Sequence, residues 1–166
     1  RGVALVGDAA SQVMPLSGSG TGLSAHAALL LAPAMVRYVR SGNAADLWEY
    51  SRAYHAAVGA EQLRQDLVTR MARTLPAARI QQFADLGILQ IDDFRRIQAE
   101  GCMIPKKLLT RAQVSRVPGL PRVLDLAPRA ASVAASFLAA ELLYRNYPKD
   151  PSGIVRWSGK LRHLLS

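Results

Sequence analysis

The sequence predicts a mostly α-helical chain that begins with one short strand. Val3 to Val6 form a fully apolar run that ends at Gly7-Asp8, which is typical of a buried parallel strand where it meets a loop. Beyond that loop, alanine- and leucine-rich stretches carry apolar residues at helical spacing through most of the 166 residues. With 50% apolar and 20% charged residues, the chain has the composition of a folded globular protein.

The first two helices have recognisable start and stop signals. The first is expected to run from Gly20 to Arg40, because Ser41-Gly42-Asn43 then stops it in the manner of a C-cap. Pro33 lies inside this stretch and predicts a kink or a break. Asp46 is expected to be the N-cap of a second, long helix that ends before Pro76.

The rest of the chain is also predicted to be helical, with turns at its prolines and glycines. The predictions are a short helix to about Ala84, a helix over 92–101, short helices over 104–128, a helix over 129–147, a turn over 148–153 and a weakly amphipathic basic segment over 154–166.

Composition excludes several kinds of protein. Because Cys102 is the single cysteine, the chain cannot form an intrachain disulfide, a thiolate zinc site or a C-x-x-C pair, and we expect a cytoplasmic or membrane-peripheral location. No uninterrupted apolar run reaches the roughly 18 residues that a transmembrane helix needs. The net charge of +9 is spread along the chain without a nucleic-acid-binding motif, so we expect no nucleic-acid partner.

The segment between the predicted strand and the first helix carries the most chemical information. Asp8 places a carboxylate at the C-terminal end of the strand, where open α/β sheets bind ligands, and it can accept hydrogen bonds from a polyol. Gly18, Gly20 and Gly22 leave the first N–H groups of the helix uncovered, which favours an anionic group in front of them. The spacing fits neither the G-x-G-x-x-G dinucleotide fingerprint nor the P-loop.

This segment resembles the second FAD-binding signature of flavoprotein monooxygenases of the aromatic-hydroxylase type, and the resemblance extends over residues 2–54. It implies an α/β parent with a Rossmann-like FAD domain, FAD as cofactor, NAD(P)H as reductant, O₂ as co-substrate and a small organic substrate. In such enzymes Asp8 would contact the ribityl chain, and the backbone around Thr21 would face the pyrimidine edge of the flavin. The cofactor-binding residues that it implies are Gly7, Asp8, Ala9, Pro15, Gly18, Gly20, Thr21 and Gly22.

The resemblance also implies how the chain is organised. Residues 1–43 would complete the FAD-binding domain and residues 44–166 would form a C-terminal helical region. The chain opens at Arg1 without an initiator Met and enters an apolar stretch at once, so we expect it to be the C-terminal part of a longer enzyme. Ser11 and Gly22 stand where many members have His and Asn, as in the subgroup that includes polyketide hydroxylases. No catalytic residue or metal ligand is predicted, since in this family oxygen attacks the flavin itself.

Three alternatives remain open. A reductase of the geranylgeranyl type shares the same signature. From another class, the basic tail could make the chain a non-catalytic, helical module that binds a membrane surface or a partner, with packing on a partner helix preferred. An unrelated glycine-rich α/β turn would produce a similar pattern.

Other residues are expected to have structural roles. His26 is expected to be packed or capped on its helix, whereas His55 and His163 are expected at the surface. A hydrolase triad of Asp8, Ser17 or Ser19, and His26 is disfavoured, because no serine lies in a G-x-S-x-G elbow. The aromatic residues Trp48, Tyr50 and Tyr54, and the thiol of Cys102, are expected in the core.

Overall fold

The computed structural model describes residues 2–15, 18, 20–85 and 127–165, and the regular structure in these ranges is entirely helical. The described α-helices are α1 (Thr21–Ser41), α2 (Ala45–Tyr54), α3 (Ala60–Arg73), α4 (Ala77–Asp85), α5 (Ala127–Arg145) and α6 (Ile154–Leu165). A π-helix, His55–Gly59, joins α2 to α3, and short 3₁₀ turns occupy Gly7–Ala10 and Pro151–Gly153. The mostly helical prediction is therefore confirmed. The helix predicted over 92–101, residues 104–126 of the region predicted to form short helices, and Cys102 lie outside the described residues, whereas residues 127 and 128 belong to α5.

The predicted N-terminal strand is not formed. Val3 and Leu5 are 76% and 56% exposed, so the expected burial on both faces is also wrong for these two residues. A strand exists only through hydrogen bonds to a neighbouring strand, and the described part of the chain contains none. Residues 2–6 are consequently irregular, and Val6 is their one apolar residue that packs against the buried core.

Helix α1 ends where the sequence predicts. Gly42 adopts a left-handed conformation with φ of 67°, and its N–H donates to the carbonyl of Tyr38 at 2.8 Å. The predicted break at Pro33 does not occur, because the helix continues through it. Pro33 removes the hydrogen bond to the carbonyl of Leu29, and both residues are exposed, so water can bind that carbonyl instead.

Helix α1 is also long and apolar enough to cross a membrane, by length and composition alone. Ser24, His26 and Pro33 interrupt its apolar run, so a membrane-spanning helix was not expected here from the sequence. Core helices of soluble proteins meet the same criteria, although only 17% of the most apolar window of α1 is buried.

Helix α2 begins at a different cap from the predicted one. The N-cap is Ala44 rather than Asp46, and the Oδ1 of Asn43, the residue before it, accepts a hydrogen bond from the N–H of Ala45 at 3.0 Å. Asp46 lies in the first turn, where its carboxylate accepts a hydrogen bond from the hydroxyl of Ser41. A negatively charged side chain in the first turn still stabilises the helix through its interaction with the helix dipole.

The buried core lies between α1 and α2. Ala27 and Ala34 on α1 are small enough to let Tyr50 and Tyr54 of α2 pack closely against them. The expected burial of these two tyrosines is confirmed, whereas Trp48 is only partly buried. Because α1 and α2 pack together, they meet across the predicted boundary at residues 43 and 44, and that division stays a prediction.

The C-terminal helices pack against the middle of the chain. Helix α5 lies against α3, where Arg64 forms an ion pair with Glu141. Helix α6 packs on α5 through Trp157, whose indole N–H donates to the carbonyl of Leu143 at 2.9 Å. The preferred packing of this tail on another helix is thus seen at Trp157, whereas the apolar side chain of Val155 is 74% exposed.

Candidate functional site

The predicted site begins as a tight reversal of the chain. Gly7 has φ of 69° and Ser11 has φ of 54°, both in the left-handed region. Two backbone hydrogen bonds close the turn. The N–H of Ser11 donates to the carbonyl of Asp8 at 2.9 Å, and the N–H of Gln12 donates to the carbonyl of Gly7 at 3.0 Å. A Cβ at Gly7 would also lie 3.0 Å from the hydroxyl oxygen of Ser24. Both conformation and space therefore favour glycine at this position.

The turn brings the two halves of the predicted motif together. Asp8 is exposed, and its Oδ1 lies 3.3 Å from the position that a Cβ on Gly20 would take. No residue that the structure describes donates a hydrogen bond to this carboxylate. It is therefore available to accept hydrogen bonds from a ligand.

The start of α1 supplies donors beside this acceptor. Gly20 is the N-cap and makes no side-chain capping hydrogen bond, while Thr21 and Gly22 are exposed. A Cβ at Gly22 would meet nothing within 4 Å. The first N–H groups of α1 are thus open to a ligand, and the helix dipole gives them a partial positive charge.

The remaining predicted residues lie along the same loop. Ala9 and Pro15 are exposed. Gly18 has φ of 64°, and its N–H donates to the carbonyl of Met14 at 2.8 Å. Ser17 and Ser19, considered above for a hydrolase triad, lie outside the described residues.

A buried hydrogen-bond network that sequence reasoning missed holds this loop in place. The side chain of Gln12, 5% exposed, accepts from the N–H of Gly7 at 2.7 Å and donates to the hydroxyl of Tyr50 at 2.6 Å. That hydroxyl donates in turn to the carbonyl of Leu5 at 3.1 Å. The network ties the loop to α2, and its one signal in the sequence is a glutamine in a loop of small residues.

A second glutamine holds the loop from α3. The amide nitrogen of Gln62 donates to the carbonyls of Ser11 at 3.3 Å and Val13 at 3.1 Å. Its amide oxygen accepts from the hydroxyl of Tyr54 at 3.1 Å. Elements far apart in sequence therefore fix the backbone that carries the predicted site.

With this geometry in hand, comparison with known proteins gives one relevant similarity. The chain is 25% identical over 168 residues to the digeranylgeranylglycerophospholipid reductase of Sulfolobus acidocaldarius, in an alignment that covers 100% of this chain and 36% of that protein. The chain thus spans little more than a third of that relative. No family model matches it.

The similarity agrees with the kind of protein that the motif implies. The relative is named a reductase, which is a kind of oxidoreductase. Its alignment with this chain includes the whole predicted loop. Together with the motif, the match supports a relationship to flavoprotein oxidoreductases.

Two histidine predictions are wrong. His26 on α1 is exposed rather than packed. His55, expected at the surface, is partly buried, and its ring lies near those of Tyr54, Tyr144, Tyr147 and Trp157 with centroids 4.5 to 6.2 Å apart. Burial lowers the pKa of His55 from 6.5 to about 4, so the imidazole is neutral near pH 7. The exposed position expected for His163 is confirmed.

The described residues offer no cluster of three or more His, Cys, Asp or Glu side chains that could hold a metal ion. What they do offer is an exposed carboxylate next to uncovered backbone N–H groups. The carboxylate can accept hydrogen bonds from the hydroxyl groups of a ligand, and the N–H groups can donate to a partly negative edge of the same ligand.

Proposed function

We propose that the chain supplies the flavin-contacting part of an FAD-dependent oxidoreductase. The observation that carries this proposal is the Asp8 carboxylate beside Gly20 at the open start of α1. Asp8 would accept hydrogen bonds from the ribityl hydroxyls, and the N–H groups of Thr21 and Gly22 would donate to the pyrimidine edge of the isoalloxazine. When bound, FAD supplies the two-electron redox chemistry, while the chain binds and orients it and stabilises negative charge at that edge.

Among FAD-dependent oxidoreductases, a reductase acting on an isoprenoid lipid is the first candidate, and the similarity that runs along the whole chain supports it. An FAD-dependent monooxygenase that uses NAD(P)H and O₂ on an organic substrate is the second candidate, supported by the resemblance of the motif over residues 2–54. Both fit a cytoplasmic protein, and peripheral membrane contact through the basic segment at 154–166 is the less favoured alternative to packing of that segment.

The flavin assignment is tested by Asp8→Ala in the protein at its full natural length. Loss of a charged hydrogen-bond acceptor costs about 1.5 to 3 kcal/mol, so we expect FAD retention to weaken about ten- to a hundredfold. The measurement is flavin content per protein after gel filtration, together with the Kd for added FAD. Asp85→Ala, at an exposed position on α4, is the matched control. Unchanged flavin content in Asp8→Ala would show that this carboxylate has another role.

The two candidate reactions differ in what the substrate gains. With NAD(P)H present as the two-electron reductant and oxygen absent, a geranylgeranyl lipid gains two hydrogens per reduced double bond if the enzyme is a reductase. A monooxygenase adds one oxygen atom and requires O₂. Mass spectrometry of the recovered lipid under both atmospheres distinguishes them.

A further inference from the structure

A cavity of about 820 Å³ lies next to the loop, and of the predicted flavin contacts only Pro15 lines it. Residues 10–13 of the loop form one part of its wall, and α2, α3, α5 and α6 contribute the others. Asp8, Gly20 and Gly22 are not among the residues that line it. The volume falls within the range of about 300 to 1,000 Å³ that is typical of small-molecule sites.

The lining is mostly apolar and aromatic. Trp48, Tyr54 and Tyr144 contribute rings, and Leu63 and Leu161 contribute aliphatic side chains. Trp48 is held in place by stacking on the ring of Tyr147 at 5.7 Å, and by a hydrogen bond from its indole N–H to the carbonyl of Pro148 at 3.1 Å. Fixed aromatic walls favour apolar ligands at low entropy cost.

The charge of the lining disfavours an anionic ligand. Asp66 is the acidic residue among the described lining, and it pairs with Arg70 on α3 at 2.7 Å. Neither lysine nor arginine occurs among the lining residues that the structure describes. An anion bound here would therefore lose its hydration without gaining a cationic partner.

One polar group in the wall has hydrogen-bonding capacity left over. His55 lines the cavity, and its buried Nδ1 has no partner among the described residues. An unsatisfied buried nitrogen is uncommon in folded proteins and calls for an explanation. His55 is also the first residue of the π-helix, a local distortion that occurs frequently at functional sites.

We propose that this cavity binds an uncharged, mainly apolar molecule with one hydroxyl or carbonyl group, which forms a hydrogen bond with the imidazole of His55. The apolar part packs against Trp48, Tyr54 and Tyr144. The site shares Pro15 with the predicted flavin contacts but includes neither Asp8 nor the start of α1, so the two proposals can be tested separately.

The test uses 1-decanol as the probe and isothermal titration calorimetry of the protein at its full natural length. His55→Phe keeps an aromatic ring but removes the hydrogen bond, and we expect 1-decanol to bind about three- to tenfold more weakly. Ser51→Phe places a ring in the cavity wall and is expected to abolish binding, whereas Ser132→Phe, at an exposed position on α5, is expected to leave it unchanged. Decanoate, the anionic counterpart, is expected to bind much more weakly than 1-decanol.

Three results would overturn the proposal: no saturable binding of 1-decanol by the parent protein, equal affinity in parent and Ser51→Phe, or equal affinity for decanoate. Unchanged affinity in His55→Phe would remove His55 from the site. Circular dichroism and thermal unfolding of each variant show whether it is folded. None of these measurements depends on flavin, so their failure is distinguishable from failure of the flavin proposal.

Discussion

At the scale of single residues, the buried side chain of Gln12 links the loop to α2 by hydrogen bonds to the N–H of Gly7 and the hydroxyl of Tyr50. We expect Gln12→Leu to lower the free energy of unfolding by about 1 to 3 kcal/mol, because the N–H of Gly7 loses its acceptor and the hydroxyl of Tyr50 loses a donor. Urea denaturation followed by circular dichroism measures the change. Gln81→Leu, at an exposed position on α4, is the control and is expected to change stability by less than about 0.5 kcal/mol. Equal effects of both variants would contradict the role of the network.

His55 gives stability a pH dependence of known sign. Burial lowers the pKa of His55 in the folded chain from its ordinary 6.5 to about 4, so the unfolded chain takes up the proton first as pH falls. The stabilisation is complete above about pH 6.5 and is lost as pH falls from there towards about 4, by at most about 3 kcal/mol. We expect His55→Phe to flatten this slope in urea denaturation across that window. An identical slope in the variant would show that other groups cause it.

The burial of His55 depends on residues that are distant in sequence. The ring partners of His55 include Tyr144, Tyr147 and Trp157, about ninety or more residues later in the chain. Local periodicity cannot reveal contacts at such separation. By contrast, the end of the apolar run at Gly7-Asp8 was predictable, because the turn there depends on local chemistry.

At the scale of elements, the π-helix brings α3 and α5 close together at Gly59. A Cβ on Gly59 would lie 2.3 Å from the ring of Tyr144, so Gly59→Ala must displace that ring. We expect a cost of about 1 to 3 kcal/mol in the free energy of unfolding. Gly159→Ala, in α6 with open space around the new methyl group, is expected to stabilise by about 0.5 to 1 kcal/mol. Thermal unfolding of the two variants provides the comparison, and destabilisation of similar size in both would refute the crowding argument.

The helices were largely predictable and the remaining elements were not. Gly42 and Pro76 stop helices by local chemistry, and α5 and α6 begin within two residues of the predicted starts. A strand depends on a partner that may lie anywhere in sequence, so the apolar run at Val3 to Val6 could not establish one. The π-helix leaves no recognisable pattern of apolar residues in the sequence. Its hydrogen bonds span one residue more than those of an α-helix, and it lasts for a single turn.

At the scale of the whole molecule, the net charge of +9 raises the question of membrane contact. Arg156, Lys160 and Arg162 are exposed on α6, while Trp157 on the same helix is buried against α5. Since the large apolar side chain is already covered, we expect the helix to pack rather than insert into a bilayer. Three basic residues near an anionic surface would contribute only about 1 kcal/mol each.

Liposome co-sedimentation tests this expectation. We expect the protein and its Arg156→Glu, Lys160→Glu, Arg162→Glu triple variant to remain in the supernatant with vesicles containing phosphatidylserine, at low and at high salt. Charge reversal is preferable to deletion, because deletion would uncover the partners of Trp157. Salt-sensitive sedimentation that the triple variant loses would establish membrane contact instead.

The anchoring of the loop by Gln12 and Gln62 has a consequence for the speed of ligand capture. Ordering one backbone residue costs roughly 1 to 2 kcal/mol of conformational entropy, and here folding has already met that cost for the segment from Leu5 to Val13. A molecule arriving beside Asp8 meets a surface in its final shape, so association requires no slow rearrangement of this backbone. Residence time, rather than the rate of arrival, is then the property that side-chain changes in this loop would alter.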